Sequence, residues 1–282
     1  MLETETKHIA DSCAILAVYN DDKLDWLKKA ISSIDLKIIK KIYIGVDGPI
    51  DLEINLYLNR LDEKFFRIIK FKENRGLAHV LNDLIHLAIN SSCKYDLFFR
   101  IDADDINLKN RFRSQFDFLL SNPNIDVLGG GAILVDENEN EIGSLFKLNN
   151  HENLLKRFPY DSPLIHPTVV FRRKILLNNI YPTDTIRSED LALWAKLILQ
   201  NRQFANLEEP LIKHRITNGT IIRRSGLRKS FNELKIRLIF LIKFGKFFSI
   251  NTVLTLGLFF SKIFLPNFFL KYLFLLRINY FR

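Results

Sequence analysis

The 282-residue sequence predicts an α/β fold: a doubly wound, mostly parallel sheet followed by a basic, aromatic-rich helical segment. Three observations lead there. Short apolar runs ending in polar residues recur through the first hundred positions, with stretches of helical periodicity between them, as in βαβ units. Acidic or turn-forming residues follow those runs directly. The composition then changes abruptly near residue 228. With 48% hydrophobic residues, 11 Gly, 8 Pro and 2 Cys, a disordered chain, a collagen-like repeat and a disulfide scaffold are excluded. The length suits one large domain, alone or with an appendage.

The run Ser12-Cys-Ala-Ile-Leu-Ala-Val-Tyr-Asn20 reads as a buried parallel strand. Residues 25–34 follow as a helix with Trp26, Leu27, Ala30, Ile31 and Ile34 apolar, and residues 41–46 as a second strand ended by Asp47-Gly-Pro49. Residues 52–61 are helical, 66–71 form a third strand, and 76–89 form a helix with Leu77, Val80, Leu81, Leu84, Ile85 and Ala88 on its apolar positions. A fourth strand, 95–101, runs straight into Asp102, Asp104 and Asp105. The second half is less regular. It holds a helix at 111–120, a strand at 127–135 with a turn through 136–141, polar loops, a strand at 169–172 and a helix at 189–199.

From Arg228 onward there are ten basic residues and one acid, Glu233, so the whole formal charge of +9 falls there and the first 227 residues are neutral. The same tail carries twelve of the 24 Phe. Two domains are therefore expected, 1–227 and 228–282. The longest uncharged stretch of the tail, residues 247–261, is shorter than the roughly 18–20 residues that span a bilayer. Basic residues punctuating apolar runs suit helices lying in a membrane interface, or helices packed on the body with their lysine stems extended. A nucleic-acid surface needs bases that stay in water, which this apolar tail does not offer. Two cysteines and no secretory pattern before Asp11 point to a reducing, cytosolic setting.

Ligands of doubly wound sheets bind beyond the carboxyl ends of the strands, so Tyr19, Asp47 and the acids 102–105 should converge on one edge. Asp102 and Asp104 offer hard oxygens to Mn²⁺ or Mg²⁺, with water and phosphate oxygens filling the shell. Paired acids after a strand are also a common helix cap. Asp47 can accept from a base or ribose, or simply make a turn. Glu73-Asn-Arg75-Gly76 opens a helix where Arg75 and free N–H groups favour an anion, unless Asn74 is only a cap. Glu189 and Asp190 sit at a helix start, as a general base beside a cleft or as acids complementing the dipole behind Ser188. No phosphate-binding Gly-x₄-Gly-Lys loop, His-Glu-x-x-His or Cys-x-x-Cys is present.

Taken in order, Ala-Val-Tyr-Asn20, Val-Asp-Gly-Pro49, Glu-Asn-Arg-Gly-Leu77, Arg-Ile-Asp-Ala-Asp-Asp105, His-Pro-Thr168 and Glu-Asp-Leu-Ala-Leu-Trp194 resemble the family 2 glycosyltransferases of the GT-A fold. The likeness covers about residues 12–225 and is greatest to bacterial enzymes of O-antigen, capsule and exopolysaccharide synthesis. It implies that Ala17 and Tyr19 border the nucleotide base, that Asp47 binds uracil or ribose, and that Arg75 lies on the nucleotide-sugar side. Asp104 and Asp102 would hold the metal, with Asp102 also reaching the ribose. Asp190 would be the base, with Glu189 beside it. His166 and Arg215 are placed near the acceptor or diphosphate. The chain departs from the family at Val46, where a second acid is common, and at Ala17, where Pro or Thr is common.

The activity so implied is inverting, metal-dependent transfer of a hexose, galactose or glucose, from a UDP-sugar to an undecaprenyl-diphosphate-linked GlcNAc or GalNAc. The product is β-linked, and the enzyme works at the cytoplasmic face of the inner membrane without nucleic acid. The rival readings are a transferase using another nucleotide sugar and a soluble acceptor, and a non-catalytic nucleotide-sugar-binding scaffold.

Overall fold

A computed structural model describes residues 11–185, 187–217 and 227–264. Nine strands form one sheet: β1 (Ser12–Val18), β2 (Ile39–Val46), β3 (Phe66–Lys70), β4 (Leu97–Asp102), β5 (Ile106–Asn107), β6 (Val127–Val135), β7 (Glu141–Leu145), β8 (Val170–Arg172) and β9 (Phe204–Arg215). The helices are α1 (Leu24–Ser32), α2 (Leu52–Leu58), α3 (Leu77–Ile89), α4 (Arg111–Ser121), α5 (His151–Arg157), α6 (Arg173–Leu176), α7 (Glu189–Leu199), α8 (Leu227–Lys243) and α9 (Ile250–Phe264), with one 3-10 turn at His166–Thr168.

The sheet order is β3-β2-β1-β4-β8-β6-β9-β5, with β7 paired to β6. The parallel unit of β3, β2, β1 and β4 is the doubly wound half expected from the apolar runs. Beyond β4 the sheet is mixed. β8 runs antiparallel to both β4 and β6, while β6 and β9 run parallel to each other. Strand β9 lies where no element is expected from the sequence, because Leu207-Glu-Glu-Pro210 interrupts its apolar pattern. The ladder with β6 shifts register between Gly129 and Gly131, so this acidic stretch bulges outward and Pro210 needs no ladder N–H.

Alternation along β1 divides the interior into two layers. Cys13 and Ile15 join the core beneath α3 and α7, with Leu81, Leu84, Phe171, Trp194 and Leu197. Ala14, Leu16 and Val18 join the core beneath α1, α2 and α4, with Leu27, Ile54, Phe112 and Phe116. Both cysteines are free thiols, Cys13 buried and Cys93 exposed.

The tail described here does not stand apart. Phe240 and Leu241 of α8 enter the first core, and the Arg237 guanidinium donates to the carbonyls of Phe158 and Asp161. From α9, the Thr255 hydroxyl donates to the Pro159 carbonyl at 2.7 Å. No helix among the described residues is long and apolar enough to cross a membrane. Residues 265–282, which complete the basic aromatic tail, lie outside the described residues.

Close packing of α3 on β2 rests on Gly45, where an added Cβ would stand 2.3 Å from Val80 Cγ1. Gly45→Ala should therefore lower unfolding free energy by about 1–3 kcal/mol in urea titrations. Gly257→Ala in α9, where a Cβ meets nothing within 4 Å among the described residues, should leave stability unchanged or raise it by up to about 1 kcal/mol.

Candidate active site

The carboxyl ends of β1, β2 and β4 form a single edge. Ala17 is in register with both Gly45 on β2 and Asp102 on β4, so it sits at the centre of that edge, and Tyr19 and Asp47 follow directly. Asp102, Asp104 and Asp105 leave β4 with carboxylate oxygens all within 4.8 Å of one another.

Three acids so close cannot all be ionised in a poor dielectric without compensation. Burial and the charges of Asp105 and Asp102 push Asp104 up to about 8. Burial also pushes Asp102 up, but Arg100 first, with Arg111 and the nearby histidines, outweighs it and holds its carboxyl below the usual range. Asp105 is buried and fully committed: His214 Nδ1 lies 2.9 Å from Oδ2, and the Arg215 backbone N–H donates to Oδ1 at 2.9 Å. The donor set is all oxygen and carries more negative charge than Asp104 alone can keep. That chemistry fits a hard divalent cation at Asp104 and Asp102.

Arg215 is placed away from any open surface. Its guanidinium donates to the carbonyls of Asp104, Asp136 and Glu137, pairs with Glu139 at 3.2 Å and stacks 4.5 Å over Trp26. It is a strut tying the β6–β7 turn to the acid cluster and to α1. The turn is held from the other side by Lys29–Glu139 at 2.5 Å.

Both Asp47 oxygens accept backbone N–H groups across the edge, from Arg75 at 2.7 Å and Gly76 at 2.9 Å. Asp47 thus staples the loop that opens α3, and Gly76 makes the corner at φ 89°. The carboxylate keeps lone pairs for a further donor. Arg75 pairs with Asp83 at 2.7 Å and lies 4.6 Å over Phe71.

Glu189 and Asp190 open α7. The Ser188 hydroxyl makes no capping bond to this helix, whereas the Asp190 carboxylate accepts the Leu191 N–H at 2.8 Å. Burial and the neighbouring Asp190 raise Glu189 above its ordinary range, opposed by the charges of Lys229 and Arg100. His166 is within the field of both Asp102 and Asp190, and its Nε2 lies 2.8 Å from the Tyr181 hydroxyl. Burial and the charge of Arg100 push His166 down to about 4, so the imidazole is neutral at ordinary pH. It offers a hydrogen bond to a ligand rather than a charge. Its ring is edge-on to Trp194 at 6.2 Å, one turn along α7 from Asp190.

Sequence reasoning missed three participants. Arg100, 2% exposed, pairs with Asp102 from within β4, and its Nε has no partner. Asp22 accepts from the Tyr19 N–H at 2.8 Å and adds its charge to the field on Asp104. Asn82 exchanges two hydrogen bonds with the Tyr181 backbone and so fixes the partner of His166. Asp22 lies four residues beyond the end of β1, whereas Asp47 immediately follows β2.

A parallel α/β edge with clustered acids facing a carboxylate pair at a helix start is the arrangement of nucleotide-sugar transferases of the GT-A fold. No family model matches the chain. An uncharacterized glycosyltransferase of Methanocaldococcus jannaschii is 30% identical over 210 residues, covering 72% of this chain and 70% of the relative. The UDP-Gal:alpha-D-GlcNAc-diphosphoundecaprenol beta-1,3-galactosyltransferase of Escherichia coli is 28% identical over 226 residues, covering 78% and 80%. Among solved structures, Staphylococcus aureus TarS 1–349 superposes with TM-score 0.59 at 14% identity, covering 82% of this chain and 65% of that one. A mannosyltransferase of Pyrobaculum calidifontis in complex with GDP-Man and Mn²⁺ gives 0.58 at 11%, covering 91% and 74%. The chain belongs to the family 2 glycosyltransferases of the GT-A fold.

Two outcomes follow. His166 binds a proton in the unfolded chain below its ordinary value near 6.5 but in the folded protein only near 4. Its contribution is absent above about pH 6.5, and stability is lost as pH falls from there towards 4, by on the order of 3 kcal/mol in all. Urea titrations at pH 7.5 and 5 should show a smaller acid loss in His166→Gln than in the parent. Asp47→Ala should free the β3–α3 loop, seen as faster amide exchange at Arg75 and Gly76 and a loss of about 2–4 kcal/mol for two charge-assisted bonds.

Proposed function

We propose that this glycosyltransferase moves a hexose, galactose or glucose, from a UDP-sugar to a lipid-diphosphate-linked GlcNAc or GalNAc of the undecaprenyl type. The transfer inverts the anomeric centre and serves bacterial surface-polysaccharide assembly at the cytoplasmic leaflet. The observation that carries the reading is the cluster of Asp102, Asp104 and Asp105 carboxylates on the sheet edge, with Glu189 and Asp190 at the start of α7 and His166 in the field of both Asp102 and Asp190. The name of the Escherichia coli relative supports the donor and acceptor.

In this mechanism Ala17, Tyr19 and the Asp47-stapled loop border the nucleotide, while Arg75 and the free N–H groups of the α3 start favour its phosphates. Asp190 takes the proton of the acceptor hydroxyl as that oxygen attacks the anomeric carbon. The bond from that carbon to the UDP oxygen breaks, and UDP departs with the electron pair. A divalent ion held by Asp104 and Asp102 would neutralise the charge that gathers on the diphosphate. Glu189 hydrogen-bonds and orients the acceptor sugar beside the base. Neutral His166, fixed by Tyr181, bridges the two substrates without adding charge. An α-linked donor gives a β-linked product in one displacement, and no enzyme nucleophile is needed.

Purified protein incubated with a panel of UDP-sugars and a synthetic lipid-diphosphate GlcNAc, with Mn²⁺ and then with EDTA, tests this. One donor should give a β-linked disaccharide whose formation stops on chelation. Asp190→Asn should slow transfer by about 10²–10⁴-fold with nucleotide binding retained. Asp104→Asn should remove the metal response and the transfer together. Full turnover in both variants would sink the assignment.

A further inference from the structure

Helix α9 is built inside out for a helix facing water. Its inward side carries Thr255, bonded to the Pro159 carbonyl, and Phe259, edge-on to Phe231 at 4.7 Å. Its outward side carries Ile250, Val253, Leu254, Leu258 and Phe260, all exposed, and Phe248 in the preceding turn is 99% exposed. Spacings of three and four residues put these on one stripe, where a globular helix would be polar. Ile239 and Ile242 of α8 are exposed as well. An exposed apolar stripe of this kind marks a partner.

The charges say which partner. Glu233 is the single acid in residues 227–264, and it is paired with Lys229 at 3.0 Å. Arg228, Lys235 and Lys243 on α8, and Lys246 in the connection to α9, are exposed. A second copy of this chain meeting the face across a two-fold axis would bring lysine towards lysine with no acid to answer it. Residues 265–282 add three more bases and no acid, so covering the face with them would leave the same charge unmatched. Anionic head groups over acyl chains match both features, and at 15 residues α9 suits a helix lying in the interface rather than crossing it.

We infer that the outward face of α9, with Lys243 and Lys246 at its approach, docks on an anionic lipid surface and holds the acceptor end of the site there. The second part rests on the proposed lipid-linked acceptor. The mechanical link is α8, whose Phe240 and Leu241 share a core with Leu191, Leu193 and Trp194 of α7, the helix opened by Glu189 and Asp190. Docking by α9 therefore fixes the acceptor side of the cleft relative to the surface.

Full-length protein is floated with vesicles of phosphatidylcholine alone and with added phosphatidylglycerol. Transfer is measured in parallel on a vesicle-embedded lipid-diphosphate acceptor and on a short-chain, water-soluble analogue. The parent should float with the anionic vesicles. Ile250→Asp/Val253→Asp should lower that partition by at least about tenfold. Lys243→Gln/Lys246→Gln should lower it on anionic vesicles and flatten its salt dependence. Both variants should lose turnover on the embedded acceptor while keeping it on the soluble one, which also reports that they fold. Unchanged flotation in both variants overturns the inference, as does a parent that ignores vesicles but sediments as a dimer that Ile250→Asp/Val253→Asp dissociates. If the parent floats as expected yet uses neither acceptor, the lipid face stands and the proposed acceptor falls.

Discussion

Three carboxylates within 4.8 Å at the end of β4 are the constraint around which this molecule is arranged. Such a cluster repels itself, and in a buried setting the repulsion is not screened away. The fold answers with buried cations on every side. Arg100 pairs with Asp102 from inside the strand, and Arg111 reaches from α4 to the Arg100 carbonyl and Asn107. His214 and Arg215 close on Asp105 from the end of β9. Burial pushes the Arg111 guanidinium down to about 9 against the opposing charges of Asp105 and Asp102. Strand β9, the register shift that lets it pass Pro210 and the turn held by Arg215 all serve to bring that last pair into place.

Much of this was legible in the sequence, and the parts that were not share a physical cause. Strands β1, β2, β3 and β4 and the helices between them carry continuous apolar runs or clean helical stripes, so the parallel half follows from periodicity. The acids of β4 were legible because they follow a strand without interruption. Strand β9 was hidden because its pattern breaks at Leu207-Glu-Glu-Pro210, and only pairing with β6 in three dimensions makes sense of the break. Asp47 illustrates a subtler limit. Its position on the edge is readable, but its two bonds to Arg75 and Gly76 join residues 28 and 29 positions away, which no local pattern reports. The partners of Arg215 were likewise invisible, because Asp136, Glu137 and Glu139 lie 76–79 positions away in the chain.

The two acidic sets differ in how they are held. Asp102 is paired with the buried Arg100, and Asp105 accepts the Arg215 backbone N–H and meets His214. Glu189 and Asp190 lie at a helix start, where the Asp190 carboxylate accepts the Leu191 N–H at 2.8 Å and Lys229 and Arg100 act on Glu189 through space. Neutral His166 lies in the field of both Asp102 and Asp190. Its low proton affinity follows from burial first and then from Arg100, the same arginine that lowers Asp102.

The two free cysteines carry a practical meaning for spectroscopy. Cys13 lies inside β1, and burial pushes its thiol well above the ordinary value, so it stays protonated and unreactive. Cys93 is exposed just ahead of β4, at the opposite end of that strand from Asp102. Six residues of extended chain separate the two ends by roughly 20 Å. The unaltered protein thus carries a single reactive handle, and a fluorophore attached there would watch the molecule without touching its chemistry.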